Sequence, residues 1–161
     1  MAAWVTAVII GIAYVLQTTL MHSVAIFGAM PDLVLIALFC YSIVEGKERG
    51  AMAGVLTGLF VDLMSGGVFG FHTLIYMYLG VAAGILGNHV FGKNALTAMM
   101  ITCILSLLYG FVLAVSMYVS KTDRNIGYML LQITLPSAVY NAVISFFVYL
   151  LFENMSRKVY Q

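Results

Sequence analysis

The sequence predicts an all-α polytopic membrane protein, a bundle of six transmembrane helices. Three observations carry this prediction. Hydrophobic residues make up 63% of the chain and charged residues 8%, and mean hydropathy is +1.07, whereas a soluble domain carries roughly 25% charged residues. Polar residues collect in short links between apolar runs, each to be compared with the ~20 residues that cross a bilayer. Small residues recur every four positions inside those runs. In lipid, where apolar surfaces have no reason to leave their solvent, such faces let helices associate by close packing. The whole chain, 1–161, then forms one integral membrane domain. A net charge of +1 offers no basic face to nucleic acid.

The first span is expected at 4–21. Its start, MAAWVTAVIIG, places no basic residue before the apolar run, which argues for a retained helix rather than a cleaved signal peptide. Ala3, Ala7 and Gly11 give it a small face, and Trp4 suits an interfacial anchor. A link with His22 and Gly28 leads to the second span, 31–44. Pro31 suits a first helical turn, and Asp32 meets the positive end of the helix dipole. EGKERG, 45–50, reads as a tight polar turn outside the hydrocarbon, with Glu45 and Arg49 spaced to pair if a helix extends through it.

The third span, 50–64, organises the rest. Gly50, Gly54, Gly58, Asp62 and Gly66 fall four apart, so a helix stacks them on one face. That face is a bare groove with one carboxylate at its far end. A carboxylate in an apolar helix is costly and should face protein or a water-filled cavity. Leucine at Gly54 or Gly58 should add volume where none exists. The groove can pack within the chain, against the fourth or sixth helix, or against a partner. Ser65, Gly66, Gly67 and Gly70 then form a turn.

The fourth span, 71–90, repeats the spacing with Gly80, Gly84 and Asn88. Lys93 lies in the loop that follows. The fifth span, 95–119, has a small face of Thr102, Ser106, Gly110 and Ala114. After the polar loop 121–125 comes the sixth, 128–152, with a polar stripe of Thr134, Ser137, Asn141 and Ser145. Asn141 is expected to bond across to a neighbouring helix. Pro136 leaves the Gln132 carbonyl without its usual partner, which predicts a kink. Cys40 and Cys103 sit in apolar runs and read as small buried hydrophobes.

Lysine and arginine set the orientation. With both termini cytoplasmic, Lys47, Arg49, Lys93, Arg157 and Lys158 lie inside, and Lys121 and Arg124 outside. Asp32, Asp62, His22 and His72 then fall toward the outer side. Asp32, Asp62 and His72 form the one candidate constellation. It reads either as a proton or ligand site or as polar capping that locks a turn. His22 and His89 suit the interface, and no metal-ligand set can be assembled. No catalytic motif is present: no His-Glu-x-x-His, no phosphate loop, no nucleophile beside a base.

Residues 31–74 resemble the MreD family of bacterial rod shape-determining proteins. The resemblance runs through Pro31, Asp32 and Leu33, then Glu45 and Gly46, the ladder Gly50, Gly54 and Gly58, and then Asp62, Ser65, Gly66, Gly70 and His72. PSAVYNAVIS, with Pro136, Tyr140 and Asn141, resembles the family's last helix. The resemblance implies a non-enzymatic, cofactor-free scaffold subunit in the bacterial cytoplasmic membrane, serving the elongation machinery that builds lateral peptidoglycan. It implies MreC, a single-span protein with a periplasmic domain, as main partner, with MreB, RodA and a class B penicillin-binding transpeptidase as further associates. It also implies a fold similar to the substrate-binding subunits of energy-coupling-factor transporters. That gives a second expectation, capture of a vitamin-type small molecule from the outer side.

Overall fold

The computed structural model describes residues 10–19, 30–65, 69–87, 94–119, 127 and 129–159. Among these residues the chain is helical and contains no strand. Six helices follow in order: α1 (Ile10–Thr19), α2 (Leu33–Glu45), α3 (Lys47–Ser65), α4 (Phe71–Ile85), α5 (Ala95–Val119) and α6 (Leu135–Val159). Two segments, Ala95–Val119 and Leu130–Glu153, are long and apolar enough to cross a membrane, while α1, α2 and α4 are shorter apolar helices. His22, Gly28, Gly66, Gly67, Asn88, His89, Lys93, Lys121, Arg124, Trp4 and the ends of the first span lie outside the described residues.

The axis of the bundle is α2. Every residue from Val34 to Val44 is buried, because this helix is apolar all round and neighbours cover it on every side. It touches α3, α4, α5 and α6. The α3–α4 hairpin lies on one side, and the α5–α6 pair on the other; α3 touches neither α5 nor α6. On α1, Tyr14 meets Phe60 of α3 edge to face at 5.1 Å, and Gln17 Oε1 accepts from the Val34 N–H at 3.2 Å.

The α3 ladder makes a close backbone-to-backbone contact. Its buried residues are Gly50, Ala53, Gly54, Thr57, Gly58 and Asp62, one helical face. That face lies directly on the backbone of α4. A Cβ built on Gly50 would lie 2.7 Å from the Gly80 carbonyl oxygen, one on Gly54 2.7 Å from the Tyr76 carbonyl carbon, and one on Gly58 2.7 Å from the His72 carbonyl oxygen. The contact is reciprocal: Gly80 faces the Gly50 backbone, and Gly84 faces Gly46 and Lys47. Thr57, which also lies on this face, satisfies its hydroxyl locally by donating to the Ala53 carbonyl at 2.6 Å.

Two local readings are revised. The polar turn expected over 45–50 shrinks to Gly46, because Glu45 closes α2 and Lys47 opens α3. Gly46 makes the reversal at φ 96°, ψ 177°, a region essentially reserved for glycine. Glu45 and Arg49 pair across it. Burial pushes the Glu45 carboxyl up, and hydrogen bonding and positive charge, Arg49's included, bring it net below its ordinary value. Gly46→Ala is therefore expected to cost about 1–3 kcal/mol, read as a lower unfolding midpoint in detergent; an unchanged midpoint would refute the strained-turn account.

The second revision concerns Pro136. The distortion it causes is a π-helical turn over Met129–Thr134, directly before α6. Widening the turn removes the clash that a proline imposes on the preceding carbonyls. Thr134 thereby packs on Gly110 of α5. Of the two cysteines, Cys40 is buried as expected, whereas Cys103 is only half-buried.

Candidate functional site

Helix α4 begins with a problem. Its N-cap residue, Gly70, stands in the left-handed region at φ 94° and has no side chain to cap the free N–H groups of the first turn. Asp62 from the preceding helix supplies the cap. One carboxylate oxygen accepts from the Gly70 N–H and the Thr73 N–H, both at 3.0 Å, and from the Thr73 hydroxyl at 2.6 Å. The other accepts from the His72 N–H at 3.0 Å and faces His72 Nδ1 at 2.9 Å. The Asp62 side chain is fully buried. Its charge is thus balanced by the positive end of a helix and a ring of donors.

His72 is held in turn. With Nδ1 facing the carboxylate, its ring lies edge-on to Phe71 at 5.4 Å and to Tyr76 at 6.1 Å. The Tyr76 hydroxyl lies 3.4 Å from that of Tyr109 on α5, which joins the hairpin to the far side of the bundle.

Asp32 does not join this pair through any hydrogen bond. It is the N-cap of α2, and its side chain accepts from the Leu35 N–H at 3.0 Å. The helix proper starts at Leu33, so buried Pro31 stands just before the cap rather than in the first turn. The Asp32 N–H donates to Asn141 Oδ1 at 2.8 Å, and Asn141 Nδ2 donates to Ser106 Oγ at 3.1 Å. Three helices thus meet at one amide, α2, α5 and α6, with Gln17 of α1 on the next N–H but one.

Asn141→Leu removes the acceptor for the Asp32 N–H, and an orphaned buried donor costs about 1–3 kcal/mol. Ser106→Ala orphans the buried Asn141 Nδ2 N–H and is expected to cost about 1–3 kcal/mol as well. A double-mutant cycle on unfolding midpoints should show coupling between them; strict additivity would mean the hydrogen bond contributes nothing.

Of the residues singled out in the sequence, Asp62, Gly70 and His72 converge on one turn. Ser65 is exposed at the end of α3, and Gly66 lies outside the described residues. Gly50, Gly54 and Gly58 lie along the α3–α4 crossing. Pro31, Asp32 and Asn141 form the second cluster. Thr73, which contributes two of the bonds to Asp62, was not singled out. Its signal was its place near the start of the fourth span, where hydroxyl residues suit a helix's first turn. Among the described residues no group of three or more His, Cys, Asp or Glu gathers as a metal site would require.

Comparison with known proteins gives a match to one family model, described as rod shape-determining protein MreD, over residues 1–159. Neither the curated proteins nor the solved structures give a match. With the family model covering nearly the whole chain, the protein belongs to the MreD family of rod shape-determining proteins.

Proposed function

We propose that this protein is a non-enzymatic scaffold in the bacterial cytoplasmic membrane. It crosses six times with both termini in the cytoplasm, and it binds MreC in support of rod shape and lateral peptidoglycan synthesis. MreB, RodA and a class B penicillin-binding transpeptidase are the wider complex it serves. The observation that carries the reading is the use made of Asp62. Its carboxylate accepts from three backbone N–H groups and the Thr73 hydroxyl, and His72 Nδ1 faces it. A group spent in this way holds a surface in shape; it is poorly placed to bind a solute or carry a proton. The Asp32–Asn141–Ser106 chain is spent in the same way.

The deciding experiment sets co-purification with MreC against binding of a vitamin panel by the purified protein. Retention of MreC with no vitamin bound supports the scaffold. Tight binding of a vitamin, with MreC lost, would replace it with solute capture. Topology is tested by reporter fusions after Lys47 and Lys121. They are expected on opposite sides, Lys47 in the cytoplasm; the same side for both would remove the six-span reading.

A further inference from the structure

The two sides of the bundle differ in apolar height. Helix α5 runs for 25 residues with no charged side chain, about 37 Å at 1.5 Å per residue. The apolar segment Leu130–Glu153 is nearly as long, at 24 residues. Both exceed the ~30 Å hydrocarbon layer of a typical bilayer. The opposite side is shorter. In α3 the first turn is Lys47, Glu48 and Arg49, all exposed, and the helix ends at Ser65, so its apolar part is about 24 Å high. Helix α4, on the same side, runs on through a π turn to Gly87, its last described residue, about 25 Å in all. The buried axis gives a similar figure. From the Asp32 cap to Gly46, the polar ends of α2 are about 21 Å apart.

The surface this short side offers is not one for close helix packing. Its small residues, Gly50, Gly54, Gly58, Gly80 and Gly84, are all turned inward onto the hairpin's own backbone or onto the α2–α3 turn. Outward stand Met52, Leu56, Leu59, Leu63, Leu74 and Tyr78, each more than one-third exposed. Bulky, flexible side chains suit acyl chains, whereas helix–helix contacts in lipid favour small residues.

We propose that the α3–α4 face holds the adjoining bilayer thinner than the α5–α6 face does. The difference is about 6 Å against an unperturbed layer, from an apolar height of about 24 Å against ~30 Å. The occupant of the face is phospholipid acyl chain, and the protein is a wedge in thickness: thin on one side, full on the other. Long α5 meets the normal layer by tilting, whereas a short helix draws the lipid headgroups toward its ends. The proposal rests on the multi-span reading.

The test is thiol labelling from water of the purified full chain in vesicles of 18-carbon monounsaturated phosphatidylcholine. Single cysteines replace exposed methionine or valine, with Cys103 changed to alanine and buried Cys40 left as background. Met52→Cys and Met64→Cys lie on α3; Met100→Cys and Val115→Cys lie on α5, no closer to their helix centre than the α3 pair. Labelling of the α3 pair by an impermeant maleimide, each from its own side of the vesicle, is expected to be about tenfold faster than that of the α5 pair. Equal rates, or protection of all four, would overturn the thinning and leave the spans intact. Labelling of both α3 sites from the same side would instead remove the multi-span reading itself.

Discussion

Gly54→Ala and Gly58→Ala are expected to lower the midpoint of thermal unfolding in detergent, while Gly11→Ala does not lower it. The difference lies in what the new methyl group meets. At Gly54 and Gly58 it meets the α4 backbone, with the Tyr76 carbonyl carbon and the His72 carbonyl oxygen each 2.7 Å away. Backbone atoms in a helix cannot rotate aside, so the hairpin must open. At Gly11 nothing lies within 4 Å. Overpacking of this kind costs about 1–3 kcal/mol in soluble cores. Alanine's better helix propensity, worth up to about 1 kcal/mol, works in the other direction at all three positions. A net fall at Gly54 and Gly58 therefore reports the crossing itself. Leucine at either position should be worse, because its branched side chain has no channel between two touching backbones. Full stability in the leucine variants would show that the hairpin does not close as described.

Asp62 is expected to tolerate neither of its two obvious replacements, and the two should fail by different amounts. Reading the sequence alone, the carboxylate orders the turn by accepting hydrogen bonds, and asparagine should preserve most of that capacity. The geometry changes this expectation. Each oxygen faces at least one backbone N–H: His72 on one side, Gly70 and Thr73 on the other. Asparagine must turn its NH2 toward one of these groups, where two donors oppose each other. The less damaging orientation places the NH2 at His72, whose ring can change tautomer to accept, but the His72 N–H is still orphaned. One buried unsatisfied donor costs about 1–3 kcal/mol. Leucine leaves every donor without its acceptor and should be the more severe change. Stability and retention of MreC are both expected in the order parent, Asp62→Asn, Asp62→Leu. A solute or proton carrier predicts that asparagine abolishes activity as thoroughly as leucine. Parent-like behaviour of both variants would mean the turn has no part in partner binding.

The pairing of Asp62 with His72 was legible because only a short turn separates them in sequence. Asp32 with Asn141 was not, since they lie 109 positions apart in sequence. Asn141 was recognisable only as a polar residue on an apolar helix that must bond to some neighbour. The same holds for the glycine ladder. Its spacing states that something lies close, yet it is silent on whether that is the fourth helix, the sixth or a partner. The tertiary structure decides for α4, because α4 carries Gly80 and Gly84 in the matching register, so both backbones are bare at the crossing.

Composition and periodicity were enough to determine that this chain is helical and apolar, and which faces are small. The tertiary structure alone decided that α2 is the buried axis, that α3–α4 and α5–α6 flank it, and that Gly46 by itself forms the turn after it. The physical reason is the solvent. In water, an apolar stripe distinguishes the inside of a helix from its outside. In lipid the surroundings are as apolar as the core, so Leu38 in the centre and Leu56 on the surface carry the same hydropathy while one is fully buried and the other 54% exposed. Only the residues lipid disfavours, or that permit backbones to touch, retain directional information, and their partners are chosen by the fold.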